Sequence, residues 1–157
     1  MMNIIKYRKA TGADILAMAQ IRESGWGTKD GWFIRIGAYM RGEHHPQHAL
    51  MSRIIFVAED KGKTIGFIAG HLTTRLGCNG ELQWINVIDE YRKIGVASQL
   101  LHLLAKWFVE QNSMIVCIDV AADNIPAQKF YRKHGAKKLN DHWLFWEDIS
   151  SVLKTKL

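Results

Sequence analysis

The sequence has few of the features that mark specialised classes of protein. It contains two cysteines and two prolines among 157 residues, which excludes a disulfide framework and a proline-rich protein. No apolar run approaches the roughly 18–20 residues needed to cross a bilayer. The N-terminal residues also lack the apolar stretch and cleavage site of a signal peptide. We therefore expect a cytoplasmic protein that neither spans nor binds a membrane.

Long runs of one charge sign are also absent, although the formal net charge is +6. The basic residues are scattered along the chain, and a polyanionic ligand would by itself account for a local basic patch. This distribution does not favour nucleic acid as the main partner. A nucleic-acid-binding module would instead show a steeply salt-dependent affinity for DNA or RNA. Apolar residues make up 48% of the chain, and its length predicts a single domain over residues 1–157.

The order of the predicted elements indicates an α/β fold with a mixed sheet and helices on both faces. Strands are predicted at residues 4–8, 54–58, 64–75, 81–88, 114–120 and 143–146. Turns join the second, third and fourth of these strands, and helices separate the others. Residues 26–50 are harder to divide, but the spacing of Trp32, Ile36 and Tyr39 predicts a helix there. The strand–helix–strand order around the apolar helix 96–108 implies a right-handed crossover between locally parallel strands. The tail after Ser150 is predicted to be loose.

One segment carries most of the functional information. An apolar strand ends near Ile88, and a helix begins within the pattern Arg92-x-x-Gly95-x-Ala97. The first amides of a helix lack intrahelical partners and carry the positive end of its dipole, so they can bind phosphate. Gly95 leaves room for close approach, and Arg92 and Lys93 add positive charge. The segment is neither a P-loop nor a Gly-x-Gly-x-x-Gly fingerprint, and it predicts a ligand that carries a pyrophosphate.

A second segment supports this interpretation. Residues 124–136 read N-x-x-A-x-x-F-Y-x-x-x-G-A, and one helix and one strand fit between the two segments. With both patterns present, the chain resembles the GCN5-related N-acetyltransferase (GNAT) superfamily, tightly over residues 81–136 and more loosely over 6–70. The resemblance implies a mostly antiparallel sheet that splays at a central parallel strand pair. Residues 1–50 would then supply the first strand and the helices that shape the acceptor site, and 81–136 the acetyl-CoA-binding core.

The resemblance also implies acetyl-CoA as co-substrate and no metal. The pantetheine amides would pair with the strand at 85–87, and the phosphates would lie on the loop at 92–98. The cofactor-binding residues implied in this way are Ile85, Asn86, Val87, Arg92, Lys93, Ile94, Gly95, Val96, Ala97, Ser98, Asn124 and Tyr131. Asn124 could contact the cofactor, cap its own helix, or do both.

Acetyl transfer to an amine needs a group that removes a proton. A lysine-like amine with a pKa of about 10.4 is protonated at pH 7. Removing its proton costs roughly 4.6 kcal/mol at 1.36 kcal/mol per pKa unit, so a general base helps. Glu81 lies where histone-type members of the family carry their base. Asp119 resembles the base of the ribosomal-protein N-terminal acetyltransferases. Either could equally be a strand-end residue, and the sequence does not rank them against each other or against water.

Tyr131 is the candidate general acid. A phenol can protonate the departing thiolate, and its position seven residues after Asn124 agrees with the acid of the family. Core packing alone would suit the neighbouring Phe130 better than a hydroxyl-bearing ring. Cys117 is not favoured as a nucleophile, because it lies in an apolar strand without a basic neighbour.

The acceptor pocket is the least defined part of the prediction. Because the early helices of the family shape that pocket, we expect it to be lined by Trp26, Trp32, Tyr39, His44, His45 and His48. The histidines are not predicted to bind a metal, since Pro46 interrupts the helix that would align them.

The sequence thus predicts a GNAT-type acyltransferase. It would move acetyl from acetyl-CoA to a primary amine of a small molecule or peptide by direct attack in a ternary complex. The acceptor stays open between small amines, antibiotics, polyamines, peptide N-termini and lysines, and a homodimer is compatible with the sequence. The alternative is a catalytically idle acyl-CoA-binding sensor, which would bind the cofactor without releasing thiol in the presence of an amine.

Overall fold

A single seven-stranded sheet organises the protein. The structure is a computed structural model that describes residues 4–157. The strands are β1 (Lys6–Lys9), β2 (Ala49–Asp60), β3 (Lys63–Thr73), β4 (Gly80–Val87), β5 (Val116–Asp119), β6 (Lys137–Lys138) and β7 (Trp143–Trp146). Their order across the sheet is β1-β2-β3-β4-β5-β7-β6. Neighbouring strands are antiparallel except for β4 and β5, which are parallel, so the predicted mixed sheet with one central parallel pair is confirmed.

Helices cover both faces of this sheet. They are α1 (Ile15–Glu23), α2 (Lys29–Met40), α3 (Val96–Glu110) and α4 (Ile125–Lys133). The predicted helix within 26–50 is therefore confirmed. Side chains alternate along β3, so that Phe67 packs with α1 and α2 whereas Ile68 packs with α3. Within residues 4–157, each helix is too short or too polar to span a membrane.

The parallel pair of strands separates almost as soon as it forms. Pairing between β4 and β5 is limited to Gly80 with Val116 and Glu81 with Cys117. Just beyond, the register of β4 against β3 slips by one residue, because Ala69 pairs with Trp84 and Gly70 with Leu82. Gln83 is the extra residue of this bulge, and bulges bend and twist a strand. The two strands therefore diverge and leave a cleft beyond their closed end.

The C-terminal tail differs from its prediction. Residues 149–154 form a 3₁₀ helix in which Ile149 and Val152 are buried against the core that includes α3. Residues three apart lie on one side of a 3₁₀ helix, so this short apolar pair is enough to fix the segment. The prediction of a loose tail was wrong, because so short a 3₁₀ helix shows neither the periodicity of an α-helix nor that of a strand.

The closed end of the cleft depends on a glycine that admits an aromatic ring. A Cβ on Gly80 would clash with the ring of Phe108, which is fully buried on α3. We expect Gly80→Ala to lower the free energy of unfolding by about 1–3 kcal/mol, as overpacking of a core does. Urea unfolding checks this result against Gly12→Ala, where the added methyl meets no atom within 4 Å. Equal stabilities of the two variants would contradict the expectation.

Candidate active site

The loop before α3 presents backbone amides to its surroundings. Gly95 caps the helix with φ +91°, and Lys93 also has a positive φ of +65°. Within residues 4–157, the amide nitrogens of Lys93, Ile94 and Gly95 donate to no backbone carbonyl. A Cβ at Gly95 would meet no atom within 4 Å, so the loop is open at its tip. Successive unpaired amides at a helix N-terminus form an anion-binding concavity, and the loop therefore fits a pyrophosphate.

The side chains of this loop are partly engaged within the protein. The Arg92 guanidinium donates through Nε to the carbonyl oxygen of Val87 at 3.2 Å and lies 3.1 Å from Asp89 Oδ1. The Ser98 hydroxyl is buried and hydrogen-bonded to His134 Nε2 at 3.0 Å. Burial, with smaller effects from Lys133 and His102, lowers the pKa of His134 to about 4, so the ring is neutral at pH 7. Ser98 can thus serve a ligand through its amide, whereas its hydroxyl faces the core.

All three candidate catalytic residues border one cavity of about 510 Å³ at the divergence of β4 and β5. Glu81 is the last residue of β4 that pairs with β5, and Asp119 is the last residue of β5. Tyr131 reaches the cavity from α4, and Ile85 lies further along the free edge of β4. The cleft therefore brings two carboxylates and a phenol, far apart in the sequence, to one place.

Glu81 is nearly buried and lies within a small polar network. Its Oε1 atom lies 3.5 Å from His71 Nε2 and 3.7 Å from Arg75 Nη1, yet has no hydrogen-bond partner among the described residues. The Nδ1 atom of His71 is 2.9 Å from the hydroxyl of Tyr39. When that hydroxyl donates to Nδ1, the ring proton is on Nε2 and faces Glu81. Oε1 therefore keeps lone pairs that can accept a proton or a hydrogen bond.

Asp119 and Tyr131 have contrasting environments. Asp119 is exposed to solvent at the end of β5, so it is available to an acceptor that approaches through the opening. The ring of Tyr131 is buried, packs edge-on against Trp146 and lies beside Phe130. Burial raises the pKa of the Tyr131 phenol above its ordinary value. The phenol is therefore protonated near neutral pH and can act as a proton donor, not as a base.

Asn124 caps a helix, and the strand at 85–87 has one free edge. The Asn124 side chain accepts from the amide of Ala127 at 3.3 Å, which makes it the cap of α4. Ile85, Asn86 and Val87 pair with β3 on one side, while beyond Glu81 the opposite edge of β4 has no strand partner among the described residues. That free edge could accept the amides of an extended ligand.

The predicted acceptor-pocket aromatics are not where the sequence suggested. Tyr39 is fully buried, Trp32 is 3% exposed and Trp26 is 63% exposed, and none of them borders the cavity. Tyr39 and Trp32 lie on the inner face of α2, because their large apolar rings stabilise the core by burial. Direct contact of these two rings with an acceptor is therefore not supported. Trp26 serves the fold through its carbonyl, which accepts from Trp32 Nε1 at 2.8 Å.

The three histidines of the loop after α2 lie outside the cavity as well. Arg53 holds this loop by donating to the carbonyl of His44 at 2.8 Å, and its guanidinium lies 3.0 Å from His45 Nδ1. His48 contributes its carbonyl to the hydroxyl of Thr73. The loop reaches the cavity through Pro46 and Gln47 instead. Among residues 4–157, no three His, Cys, Asp or Glu side chains converge in a way that could hold a metal ion.

Cys117 is not a reactive thiol in this environment. Its side chain is fully buried, and its pKa is raised by the hydrogen bond with Cys78, by burial and by nearby charge. A thiolate is the nucleophilic form of cysteine, so a raised pKa works against acetylation of Cys117.

Sequence reasoning missed several residues that line the cavity or support it. They are Arg22, Arg35, His71, Arg75, Gln83, Trp84 and Trp143. His71 had a usable signal, because an imidazole inside an apolar strand needs a polar partner. Arg22 and Arg35 had none, since a basic residue on an amphipathic helix is ordinarily a solvated one. Arg75 lies in a short 3₁₀ turn, which has no periodic pattern.

Comparison with known proteins identifies the family. The sequence profile of the acetyltransferase (GNAT) family matches residues 15–136, which include the loop at 92–98, both carboxylates and Tyr131. The chain therefore belongs to the GNAT family and is an acetyltransferase that uses acetyl-CoA.

Individual relatives agree with this assignment. The chain is 26% identical over 122 residues to an N-alpha-acetyltransferase of Sulfurisphaera tokodaii, which covers 68% of this chain and 73% of that protein. Its fold is similar to that of Ard1 from Thermoplasma volcanium, with a TM-score of 0.69 and 22% identity over 90% of this chain and 93% of the other. It is also similar to a paia N-acetyltransferase of Thermoplasma acidophilum in complex with coenzyme A, with a TM-score of 0.69 and 15% identity over 92% and 99% of the two chains.

Proposed function

We propose that this enzyme transfers acetyl from acetyl-CoA directly to a primary amine while both substrates are bound. The observation that carries the proposal is the convergence of Glu81, Asp119 and Tyr131 on one cavity where β4 and β5 diverge. The cavity offers groups that can remove a proton from the amine and return one to sulfur. The S. tokodaii relative is named an N-alpha-acetyltransferase, which makes a peptide N-terminus the first acceptor to test.

In this proposal, the amides of residues 93–98 bind the pyrophosphate, and the free edge of β4 at 85–87 aligns the pantetheine. Glu81 or Asp119 accepts a proton from the ammonium group of the acceptor, directly or through water. The amine nitrogen then attacks the thioester carbonyl carbon, a C–N bond forms and the C–S bond breaks. Tyr131 donates its phenolic proton to the departing sulfur, and the second proton that the nitrogen loses as the amide forms restores the phenol. An α-amine has a pKa of about 7.7–8.0, so its deprotonation near pH 7 costs only about 1 kcal/mol, far less than that of a lysine.

The carboxylates can be tested by the pH dependence of the rate. We expect Glu81→Gln or Asp119→Asn to lower kcat/KM for a peptide α-amine about 10²-fold at pH 6.5, as loss of a general base does. The deficit should shrink as the pH rises past 8, because the amine then loses its proton without help. Thiol release from pH 6 to pH 9.5 measures this effect.

Glu147→Gln is the matched control, since Glu147 is an exposed carboxylate that pairs with Lys137. It should follow the wild-type profile. A loss that is equal at every pH in both the Glu81 and the Asp119 variant would exclude a carboxylate base. If no amine acceptor produced thiol release at any pH, the transferase proposal itself would be rejected.

A further inference from the structure

Two arginines face the acceptor cavity without a carboxylate partner. Arg22 on α1 and Arg35 on α2 both border the cavity that holds Glu81 and Asp119. Among the described residues, neither arginine forms an ion pair. Burial, together with the charge of Arg35, lowers the pKa of Arg22 to about 10, so the Arg22 guanidinium stays charged at pH 7. Two like charges held close together favour the binding of an anion between them.

The position of Arg22 is fixed by its contacts. Its guanidinium carbon lies 4.4 Å from the ring centroid of Trp32, and that of Arg35 lies 5.4 Å from the same centroid. Arg22 Nη1 donates to Asn86 Oδ1 at 2.9 Å. The Nε donor of Arg22 is buried and has no hydrogen-bond acceptor among residues 4–157. Buried donors in native proteins are almost always paired, so this unsatisfied N–H indicates an acceptor atom that a ligand supplies.

The third arginine of the cavity already has partners. Arg75 Nη1 lies 3.7 Å from Glu81 Oε1, and its guanidinium stacks 4.4 Å from the ring centroid of Trp143. The unbalanced positive charge therefore lies on the α1–α2 side of the cavity, whereas the solvent-exposed carboxylate of Asp119 lies on β5. An acceptor with an ammonium group and a nearby carboxylate matches this separation of charge.

The phosphates of acetyl-CoA do not explain the pair. The phosphate-binding loop begins α3, and the core under α3 is on the sheet face opposite to the core under α1 and α2. None of residues 92–98 borders the cavity that Arg22 and Arg35 line. The two arginines are thus placed toward the acceptor.

We propose that the acceptor carries a carboxylate close to its reactive amine, and that Arg22 and Arg35 bind this carboxylate. The inference rests on the proposed function, because it specifies the acceptor of the same cavity. The carboxylate can be the side chain of an acidic residue at a peptide N-terminus or the carboxylate of a free amino acid. Arginine binds carboxylates through paired N–H donors, so these two residues select the acceptor by its charge.

Matched peptides test the selection. Three peptides of identical sequence except for Glu, Gln or Lys at the first position are compared by kcat/KM from thiol release, together with free glutamate and glutamine α-amide. We expect the Glu peptide to exceed the Gln peptide by about tenfold or more, the value of one charge-assisted hydrogen bond. The Lys peptide should be slower still. If free glutamate reacts faster than both the Glu peptide and glutamine α-amide, the result supports the proposal and indicates that the carboxylate belongs to a free amino acid.

Variants assign the selection to these arginines. Arg35 is exposed on α2, so Arg35→Gln and Arg35→Glu should fold, and thermal unfolding checks this. We expect Arg35→Gln to reduce the Glu-to-Gln ratio several-fold and Arg35→Glu to invert the order of the Glu and Lys peptides. Arg22→Lys, which keeps the charge but loses the planar fork, should reduce the ratio as well. Arg41→Gln is the control, because Arg41 pairs with Glu43 at the surface; its ratio should be unchanged.

Three results would overturn the proposal. The first is equal rates with the Glu and Gln peptides together with no preference for free glutamate over glutamine α-amide. The second is a set of preferences that do not respond to changes at Arg22 and Arg35, and the third is a loss confined to acetyl-CoA affinity. If no amine were acetylated, the proposed function would fail separately. The carboxylate site would then be judged by calorimetry of the Glu and Gln peptides with the enzyme saturated with coenzyme A, where equal affinities reject it.

Discussion

Replacing Tyr131 with phenylalanine is expected to lower kcat about 10²–10⁴-fold, the usual range for loss of a general acid. The phenylalanine keeps the ring that packs against Trp146 and Phe130, so the free energy of unfolding should change little. Affinity for acetyl-CoA should weaken modestly, because the loop at 92–98 and the free edge of β4, where we propose that the cofactor binds, are unaltered. The measurement is kcat at saturating concentrations of both substrates, with calorimetry of acetyl-CoA binding.

Tyr7→Phe is the control for this change, since Tyr7 lies on β1, away from the cavity. It should retain wild-type turnover. A folded Tyr131→Phe enzyme with near-normal turnover would leave Tyr131 as a packing residue and assign the proton transfer to water. Titration of the acceptor excludes the other explanation, which is a misplaced amine.

Gly95→Glu is expected to abolish measurable binding of acetyl-CoA, a loss of at least about 100-fold in affinity. The new side chain places a negative charge at the helix N-terminus, where anionic ligands otherwise find unpaired amides and the positive end of the dipole. It also occupies the open space in front of the loop, where a Cβ meets no atom within 4 Å. Calorimetry with acetyl-CoA measures the effect.

The backbone strain of this substitution needs its own control. Gly95 has a φ of +91°, and a residue with a side chain is strained there by about 1–2 kcal/mol. Gly77→Glu has the same kind of strain, with a φ of +74° and no atom within 4 Å of the added Cβ, but it lies in the turn before β4. Undiminished acetyl-CoA binding by Gly95→Glu, or equal losses in the two variants, would reject the phosphate-binding role of the loop.

The parts of the fold that follow from local patterns were predictable. The amphipathic helix after Gly95, the capped helix after Asn124 and the strands predicted from apolar runs are all present, although several strands begin or end a few residues away from their predicted bounds. The polar residues of the cleft were predictable to the extent that they adjoin these elements. Glu81, Asp119 and Tyr131 each lie at a strand end or on the inner face of a capped helix, and all three border one cavity.

The acceptor side was not predictable by the same reasoning. Periodicity identified α2 but could not decide whether Trp32 and Tyr39 face the core or the cavity, and burial of apolar area decided for the core. The role of Arg22 depends on a contact with Asn86, 64 residues away in sequence. The environment of Glu81 likewise depends on the neighbouring strand, which supplies His71. Such contacts depend on tertiary packing, which a local pattern does not contain.

The short pairing between β4 and β5 has a consequence for the mechanics of the enzyme. It divides the sheet into a block of four strands and a block of three, joined along this line by two residue pairs. The blocks are otherwise connected by the core beneath α3, to which Val152 of the C-terminal segment contributes. If the pantetheine pairs with β4 and its sulfur reaches Tyr131 as we propose, the bound co-substrate links the two blocks, because Tyr131 packs against Trp146 of β7. The free energy of unfolding would then rise with acetyl-CoA concentration, and the enzyme would be most rigid just before the reaction and loosest after coenzyme A has left.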